Sequence, residues 1–519
     1  MAFKRSSHRL ILFIATVVFS FCLIVLSPAM ASPKNKTGNK IKTLDFAIQY
    51  IFDGNFDPVE KNFINLQFLF RSIYSAPFKL NTHLRIEPLL LEKYERNGKQ
   101  IILYIKENAR FSDGSPITAE DMRLSFEAGM TLSDSPNPVY KWIEGGEELF
   151  QGKTPHCTGL KTLGDKILEI RLKEENAEIE TYFTANTMSI LPRHRNRERK
   201  PGGMVFSGPF QVTDYREKGK ESIVTLKKNP HYFGPAGKID VIYLHFYKES
   251  SDYERIIDIG KPDVFLYNQG LTFPSSRHKY NYFKTPSFGA FYIKLNPREG
   301  PFKDKKLRTY LKDIILSLDL VENEKWELMA PCKMILPYSL TGYFVFDPIA
   351  PGNFQELMPK KTIKISCLNP NYGIRTTLMP LLKKKLKKYN LDLELKWAKN
   401  LDIVRFQERK ASFDLTTLYY LVDIPLSSYF YETLFTPGHE LNLFGYKVPK
   451  AMELLADYRK EDDELKKLKV LSQLETIAQE EAFLIPLMNP LSILGYKDSV
   501  KNVKIDKFLQ INFEDIDVE

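Results

Sequence analysis

The chain has 519 residues, 43% apolar and 13% aromatic with 27% charged, which are values of a folded globular protein and exclude a disordered or low-complexity chain. Its length exceeds one ordinary core and predicts two or more domains. The net charge of +10 falls to about +7 once the basic residues of the first 31 positions are set aside, a modest excess for this length.

The N-terminus reads as an address. Lys4, Arg5 and Arg9 form a basic start, Leu10 to Leu26 is an apolar run, and Ala29-Met30-Ala31 is a small-x-small cleavage pattern. A secretory signal peptide over residues 1–31, cut after Ala31, is expected. The run also nears the lower limit of a membrane span, so an uncleaved anchor on the extracytoplasmic face is the alternative. Cys22 follows Phe21, not the small residue of a lipidation site. No later stretch is long and apolar enough to span a bilayer. Residues 32–43 are polar and basic, a leader before the first strand.

Strands are predicted at 44–50 and, as a hairpin turning at Asn97-Gly98, across 84–106. FSDGSPITAEDMRLSFEAG at 111–129 reads as a turn at Asp113-Gly114, then a helix with Thr118 as N-cap and Asp121 three residues on as in a capping box. Strand-like runs recur at 166–172, 208–214, 222–228 and 239–247. After about residue 300 helical periodicity dominates, at 303–319, 376–389 and 449–482, between short strands at 361–367 and 391–397. This mixture indicates α/β lobes, and no tandem repeat is found.

Two basic clusters, RHRNRERK at 193–200 and KKKLKK at 383–388, lack base-stacking or groove-reading elements. The second lies on a helix with Leu382, Leu386 and Tyr389 as its buried side. Both read as solvated surface, with no nucleic acid as partner. The eight histidines show no HExxH or close ligand spacing, no G-x-S-x-G elbow is present, and the near phosphate-loop at 146–154 has the wrong glycine spacing and carries Glu147 and Glu148. No enzyme and no cofactor are indicated. After signal removal Cys157, Cys332 and Cys367 remain, as one bridge and a free thiol or as three free buried thiols.

The motifs carry a resemblance. Phe111, Asp113, Gly114, Pro116, Thr118, Ala119, Asp121, Ser125 and Phe126 resemble the F-x-DG-x-P-x-TA-x-D motif of the family 5 (peptide-binding) bacterial solute-binding proteins of ABC importers. Collinear with it, SGPFQV at 207–212, LKKNPHYFG at 226–234, FYIKLN at 291–296 with Pro301, Phe302, Asp304, Leu307 and Arg308, and FLIPL at 483–487 are similar to further family stretches. Taken as residues alone, these are turn and cap chemistry that identifies a fold without touching ligand.

The resemblance implies an α/β, two-lobed periplasmic binding protein fold, type II and cluster C like, with an additional small domain. Its expected boundaries are signal peptide 1–31, lobe I at 32–75, 205–285 and 495–519, additional domain 76–204, and lobe II 286–494. It further implies a monomer in the periplasm that binds a peptide, dipeptide or oligopeptide, and hands it to the membrane permease of an ABC importer. FDLTTLYYLVDIP at 413–425 resembles the family stretch that delivers an aromatic and a carboxylate to the cleft, so Asp423 is the expected anchor of a ligand α-amino group, with Tyr420 in place of the family's Trp. Trp397, Tyr420 and Tyr429 are candidate pocket walls. Relatives with this pattern also carry metal chelates, opines or sugars, so a non-peptide solute is the alternative. An exported hydrolase or a surface adhesin is the reading from another class.

Overall fold

The computed structural model describes residues 41–519 apart from 62–63, 82–84, 133–136, 195, 197–199, 236, 268–278, 287–288, 325, 339, 344, 372, 423 and 506–510. The signal-peptide reading at 1–31 therefore lies outside the described residues. Contacts separate residues 1–42 from 43–519, and the second unit carries the fold.

A twelve-stranded sheet organises that unit. From one edge it runs Leu391–Ala398, Ile363–Pro370, Leu415–Leu421, Gly289–Leu295, Leu484–Tyr496, Val264–Tyr267, Thr43–Gln49, Val241–Tyr247, Glu221–Lys228 and Phe210–Lys218, with Asn281–Pro286 and Met329–Pro331 also paired to Leu484–Tyr496. Thr43–Gln49 lies parallel to both its neighbours, as Ile363–Pro370 does to its own, and the remaining pairs are antiparallel.

The long strand Leu484–Tyr496 is the crossing. Its first residues, Leu484 to Met488, pair with Gly289–Leu295, whereas Ile493 to Tyr496 pair with Val264–Tyr267 on one side and Asn281–Pro286 on the other. Apolar side chains sort accordingly. One core is built from residues between Leu44 and Tyr74, between Leu191 and Leu266, and between Leu494 and Ile516. Two others lie wholly between Ala290 and Met488. This is the two-lobed fold the motifs imply.

A further core forms chiefly between Phe78 and Val205, under a four-stranded sheet ordered Leu91–Asn97, Gln100–Ile105, Ile167–Arg171, Leu160–Gly164. Its hairpin turns at Gly98 with φ +55°, a left-handed value that glycine adopts without a Cβ clash. The expected strand from 84 is split, because Pro88 has no amide to continue the ladder: Ile86–Pro88 pairs with Phe78–Leu80, and a new strand begins at Leu91. Likewise the helical stretch 449–482 is two helices, Pro449–Tyr458 and Glu464–Glu481. Asp463 starts the second by accepting from the amides of Leu465 at 2.9 Å and Lys466 at 3.0 Å.

The family-like motifs hold the fold together. Thr118 and Asp121 form the capping box of helix Ala119–Thr131, and Asp121 also receives Arg193 at 2.9 Å. Gly208 sits so close to another segment that a Cβ would lie 2.5 Å from the Ile73 carbonyl carbon, and Asn229 Nδ2 donates to its carbonyl at 2.8 Å. Asp304 caps helix Lys305–Ser317, and Arg308, 1% exposed, donates to the carbonyls of Glu481 at 2.7 Å and Phe302 at 2.9 Å. Cys157, Cys332 and Cys367 are buried and unbridged.

Candidate ligand cleft

Strand Leu415–Leu421 lies inside the second lobe, between Ile363–Pro370 and Gly289–Leu295, and leads to position 423. Asp423 itself is outside the described residues. Its flanks are informative: Val422 packs into the core of lobe II, whereas Ile424, also 2% exposed, packs into the core of the additional domain. The residue before position 423 thus belongs to one core and the residue after it to another. The Leu426 amide donates a hydrogen bond to the Ile424 carbonyl at 2.7 Å.

The three aromatic candidates occupy different surroundings. Tyr420 is 4% exposed, pairs across the sheet with Ala290 and packs beside Phe430 with ring centres 6.0 Å apart, so its ring belongs to the core. Trp397 is 38% exposed on the edge strand Leu391–Ala398, separated from Tyr420's strand by Ile363–Pro370. Tyr429, on helix Ser427–Phe435, meets Tyr182 of the additional domain edge-on at 6.2 Å.

Around Tyr429 the additional domain and lobe II make a polar contact. Glu178 Oε2 accepts from the Ser428 hydroxyl at 2.6 Å, and Glu178 Oε1 accepts from the Tyr458 hydroxyl at 2.8 Å. Burial pushes the Glu178 carboxyl up from its ordinary range, against the pull of those two hydroxyls and Lys467. Beside it Lys141 lies 3.4 Å from Glu432, which also receives Arg459 at 3.2 Å, and Arg459 covers the Trp142 ring at 4.9 Å. His439 is held down by burial and by Lys141, whose ammonium is 3.1 Å from its Nε2.

Two of the cavities among the described residues lie at the core of the lobes or beside the additional domain. One of about 180 Å³, between lobe I and the additional domain, is lined by Arg71, Lys79, Thr184, Tyr232 and Glu514 among others. Another of about 300 Å³ in lobe II is lined by Leu316, Asp319, Cys332, Pro486 and Leu487 among others. Neither includes Trp397, Tyr420 or Tyr429 in its wall. Among the described residues no group of three or more His, Cys, Asp or Glu is placed to hold a metal.

The contact residues were not singled out by sequence reasoning. Glu178 stands in the acidic run KEENAEIE, whose composition carries no sign of a contact with a distant segment. Lys294 had a usable signal: a lone lysine in a strand buried at every position, Gly289–Leu295, requires a partner, and Glu408 meets it at 2.6 Å.

Comparison with known proteins gives the same frame. Residues 85–310 match the model of the bacterial extracellular solute-binding proteins, family 5. The chain is 23% identical over 436 residues to the periplasmic oligopeptide-binding protein OppA of Salmonella typhimurium, covering 77% of this chain and 78% of that one. Among solved structures it resembles the Escherichia coli murein tripeptide binding protein MppA, with TM-score 0.75, 18% identity and coverage of 92% of this chain and 99% of that one. It also resembles NikA from Brucella suis in complex with Fe(III)-EDTA, with TM-score 0.76, 15% identity and coverage of 92% and 100%. The crossing strand, the separate cores and the matched middle region agree: the chain has the type II periplasmic binding protein fold, and its residues 85–310 match the family 5 solute-binding proteins.

Proposed function

We propose that the chain captures a peptide in the cleft between its two lobes and presents it to the permease of an ABC importer. The observation that carries this reading is that the residues flanking position 423 belong to the core of lobe II and to that of the additional domain. A free peptide amine is cationic, and its bond to a partly desolvated carboxylate is charge-assisted and stronger than a neutral one. Asp423 is thus assigned the ligand's α-amino group. Tyr429 and Trp397 supply aromatic surface, while Tyr420 stiffens the strand that leads to the anchor. The lobe boundaries expected from the motifs, a monomeric state and export to the periplasm by a cleaved signal peptide belong to the same proposal.

Calorimetry with one tripeptide in free-amine and N-acetylated forms tests it. Removing one partner of a buried charged pair costs ~2–5 kcal/mol, whereas a solvated aspartate would cost little. Wild type should discriminate strongly against acetylation, and Asp423→Asn, with an unchanged circular dichroism spectrum, should lose most of that discrimination. Equal affinity of wild type for both forms removes Asp423 from the site.

A second reading, a non-peptide solute in the same cleft, is favoured by the likeness to NikA with its bound Fe(III)-EDTA. Native mass spectrometry of the protein purified from its own compartment separates the two by the mass of what copurifies.

A further inference from the structure

We propose that the basic end of lobe II docks on anionic phospholipid, holding the protein at the membrane that its importer occupies. The inference extends the delivery reading and rests on the exported location that goes with it.

The charge of the chain is concentrated. From Leu357 to Leu391 there are nine lysines and arginines and no aspartate or glutamate, so this stretch nearly equals the net +10 and leaves the rest of the chain close to neutral. Three of the nine are engaged within the fold. Lys364 meets Glu394 at 3.3 Å, Lys385 meets Glu324 at 2.9 Å, and Arg375 lies over the Phe291 ring at 5.8 Å. The other six, Lys360, Lys361, Lys383, Lys384, Lys387 and Lys388, are exposed, and no carboxylate pairs with any of them among the described residues.

The fold brings these six together. Lys383 and Lys387, like Lys384 and Lys388, are one turn apart at the end of helix Arg375–Leu386 and its continuation, away from the buried Leu382 and Leu386. The chain then turns at Asn390, φ +59°, whose side chain donates to the Pro359 carbonyl at 2.8 Å and whose own carbonyl accepts from the Ile363 amide at 2.8 Å. Lys360 and Lys361, lying between Pro359 and Ile363, are thereby set beside the helix end. Phe354 meets Tyr389 edge-on at 5.6 Å and fastens the same segment further back. Between these anchors Leu357 and Met358 are 36% and 42% exposed, with Glu356 as the one carboxylate of residues 354–361. The run KKKLKK alone reads as solvated surface; its meeting with a second lysine pair and two bare apolar side chains is a product of the fold.

Six like charges held together repel, and an external anion would offset what no carboxylate of the chain does. The surrounding chemistry selects the anion. Clusters of about four to eight basic residues suit an anionic bilayer, because ammonium groups attract headgroups as point charges without fixed geometry, while side chains such as Leu357 and Met358 reach the acyl boundary. A single-stranded nucleic acid would need exposed rings to stack its bases, whereas the ring of this cluster, Tyr389, is packed against Phe354. Strand Ile363–Pro370 begins beside the lysines and runs parallel to Leu415–Leu421, so its eight residues place the lysines about 26 Å from the strand ends that lead to the candidate cleft. Docking through the lysines leaves those strand ends free for ligand.

The protein, purified without detergent, is sedimented with phosphatidylcholine vesicles containing or lacking phosphatidylglycerol at physiological ionic strength. Wild type should bind the anionic vesicles at least about tenfold more tightly than the neutral ones. Lys383→Gln, Lys384→Gln, Lys387→Gln and Lys388→Gln combined should weaken binding to the anionic vesicles at least about tenfold. Glutamine matches lysine in helix propensity, so circular dichroism should be unchanged. Lys360→Gln with Lys361→Gln, off the helix, should weaken binding at least about threefold and keeps the test open if the helix variant fails to fold. Lys153→Gln, Lys161→Gln, Lys218→Gln and Lys227→Gln combined remove the same net charge from exposed positions outside lobe II and should change binding less than about threefold. Equal binding of wild type to both vesicle types, equal losses in the lobe II and control sets, or tighter binding of a single-stranded oligonucleotide than of anionic vesicles overturns the proposal. N-terminal sequencing of the same sample reports on export separately: a start at Met1 with charge-dependent vesicle binding intact counts against export alone.

Discussion

Lys294 and Glu408 give a quantitative test of how lobe II is held together. Lys294 lies on the central strand Gly289–Leu295 and Glu408 on helix Leu401–Arg409; each side chain is 2% exposed, and their charged atoms are 2.6 Å apart. The ammonium also donates to the Glu440 carbonyl at 2.5 Å. Glu408→Gln leaves a buried ammonium with neutral acceptors only, and the expected loss is ~3–5 kcal/mol. Lys294→Met leaves a buried carboxylate and should cost a similar amount. Because both charges are already out of water, combining Lys294→Met with Glu408→Leu removes two desolvation penalties along with one attraction. The double substitution should be neutral or stabilising by ~1–4 kcal/mol relative to wild type, making the coupling strongly non-additive. Urea unfolding followed by circular dichroism, with the denaturant slope checked for constancy, measures wild type, these variants and the single Glu408→Leu that closes the cycle. Two single substitutions that each cost under about 1 kcal/mol would refute the reasoning, since that is the behaviour of a solvated surface pair.

Two other outcomes follow from buried polar groups. His245, 12% exposed, lies with Nδ1 2.7 Å from Glu221 and Nε2 2.8 Å from Asp45; burial pulls it down, but the two carboxylates win and raise it above 6.5. Its stabilisation is complete below that value and is lost as pH rises through the higher folded one, so the unfolding free energy of wild type from urea titration should fall between pH 6 and pH 9 by ~1–2 kcal/mol more than that of His245→Gln. Glu475, 1% exposed, accepts from the amides of Ile335 at 2.8 Å and Leu336 at 3.1 Å, from the Tyr431 hydroxyl at 2.7 Å and from Gln479 at 2.9 Å. Glu475→Gln points an amide donor at groups that need an acceptor and should cost ~1–3 kcal/mol in thermal or urea unfolding, with loss of protection at Ile335 and Leu336 in amide exchange.

What was legible in the amino acids was local chemistry. Thr118 and Asp121 announce a capped helix at three-residue spacing, Asn97-Gly98 announces a hairpin, and alternating or continuous apolar runs mark most strands of both lobes, because each signal is set by backbone sterics and side-chain period within a few residues. The errors at Pro88 and at 459–463 arose where one residue interrupts a favourable pattern, a missing amide in the first case and a capping aspartate in the second. The contact between the additional domain and lobe II was not legible. Glu178, Ser428 and Tyr458 become neighbours only through the fold, and nothing in an acidic run, a serine pair or a helix-end tyrosine distinguishes them from surface residues beforehand. The aromatic candidates illustrate the same limit, since Tyr420 and Tyr429 are close in sequence yet one fills a core and the other faces a second body.

The first lobe is completed by segments far along the sequence from its first strand. Phe46, on the first strand, packs edge-on against Phe513 at 5.4 Å, and the strand beside it, Val264–Tyr267, is covered on its far side by Leu484–Tyr496. The segments that finish this core are therefore made several hundred residues after its first strand. Contacts of such long sequence separation form slowly, because the entropy of closing the intervening loop is lost before they reward it. For a polypeptide exported as proposed above, late completion is useful: the chain stays extended enough to be threaded through a membrane pore and commits to its native form on the other side.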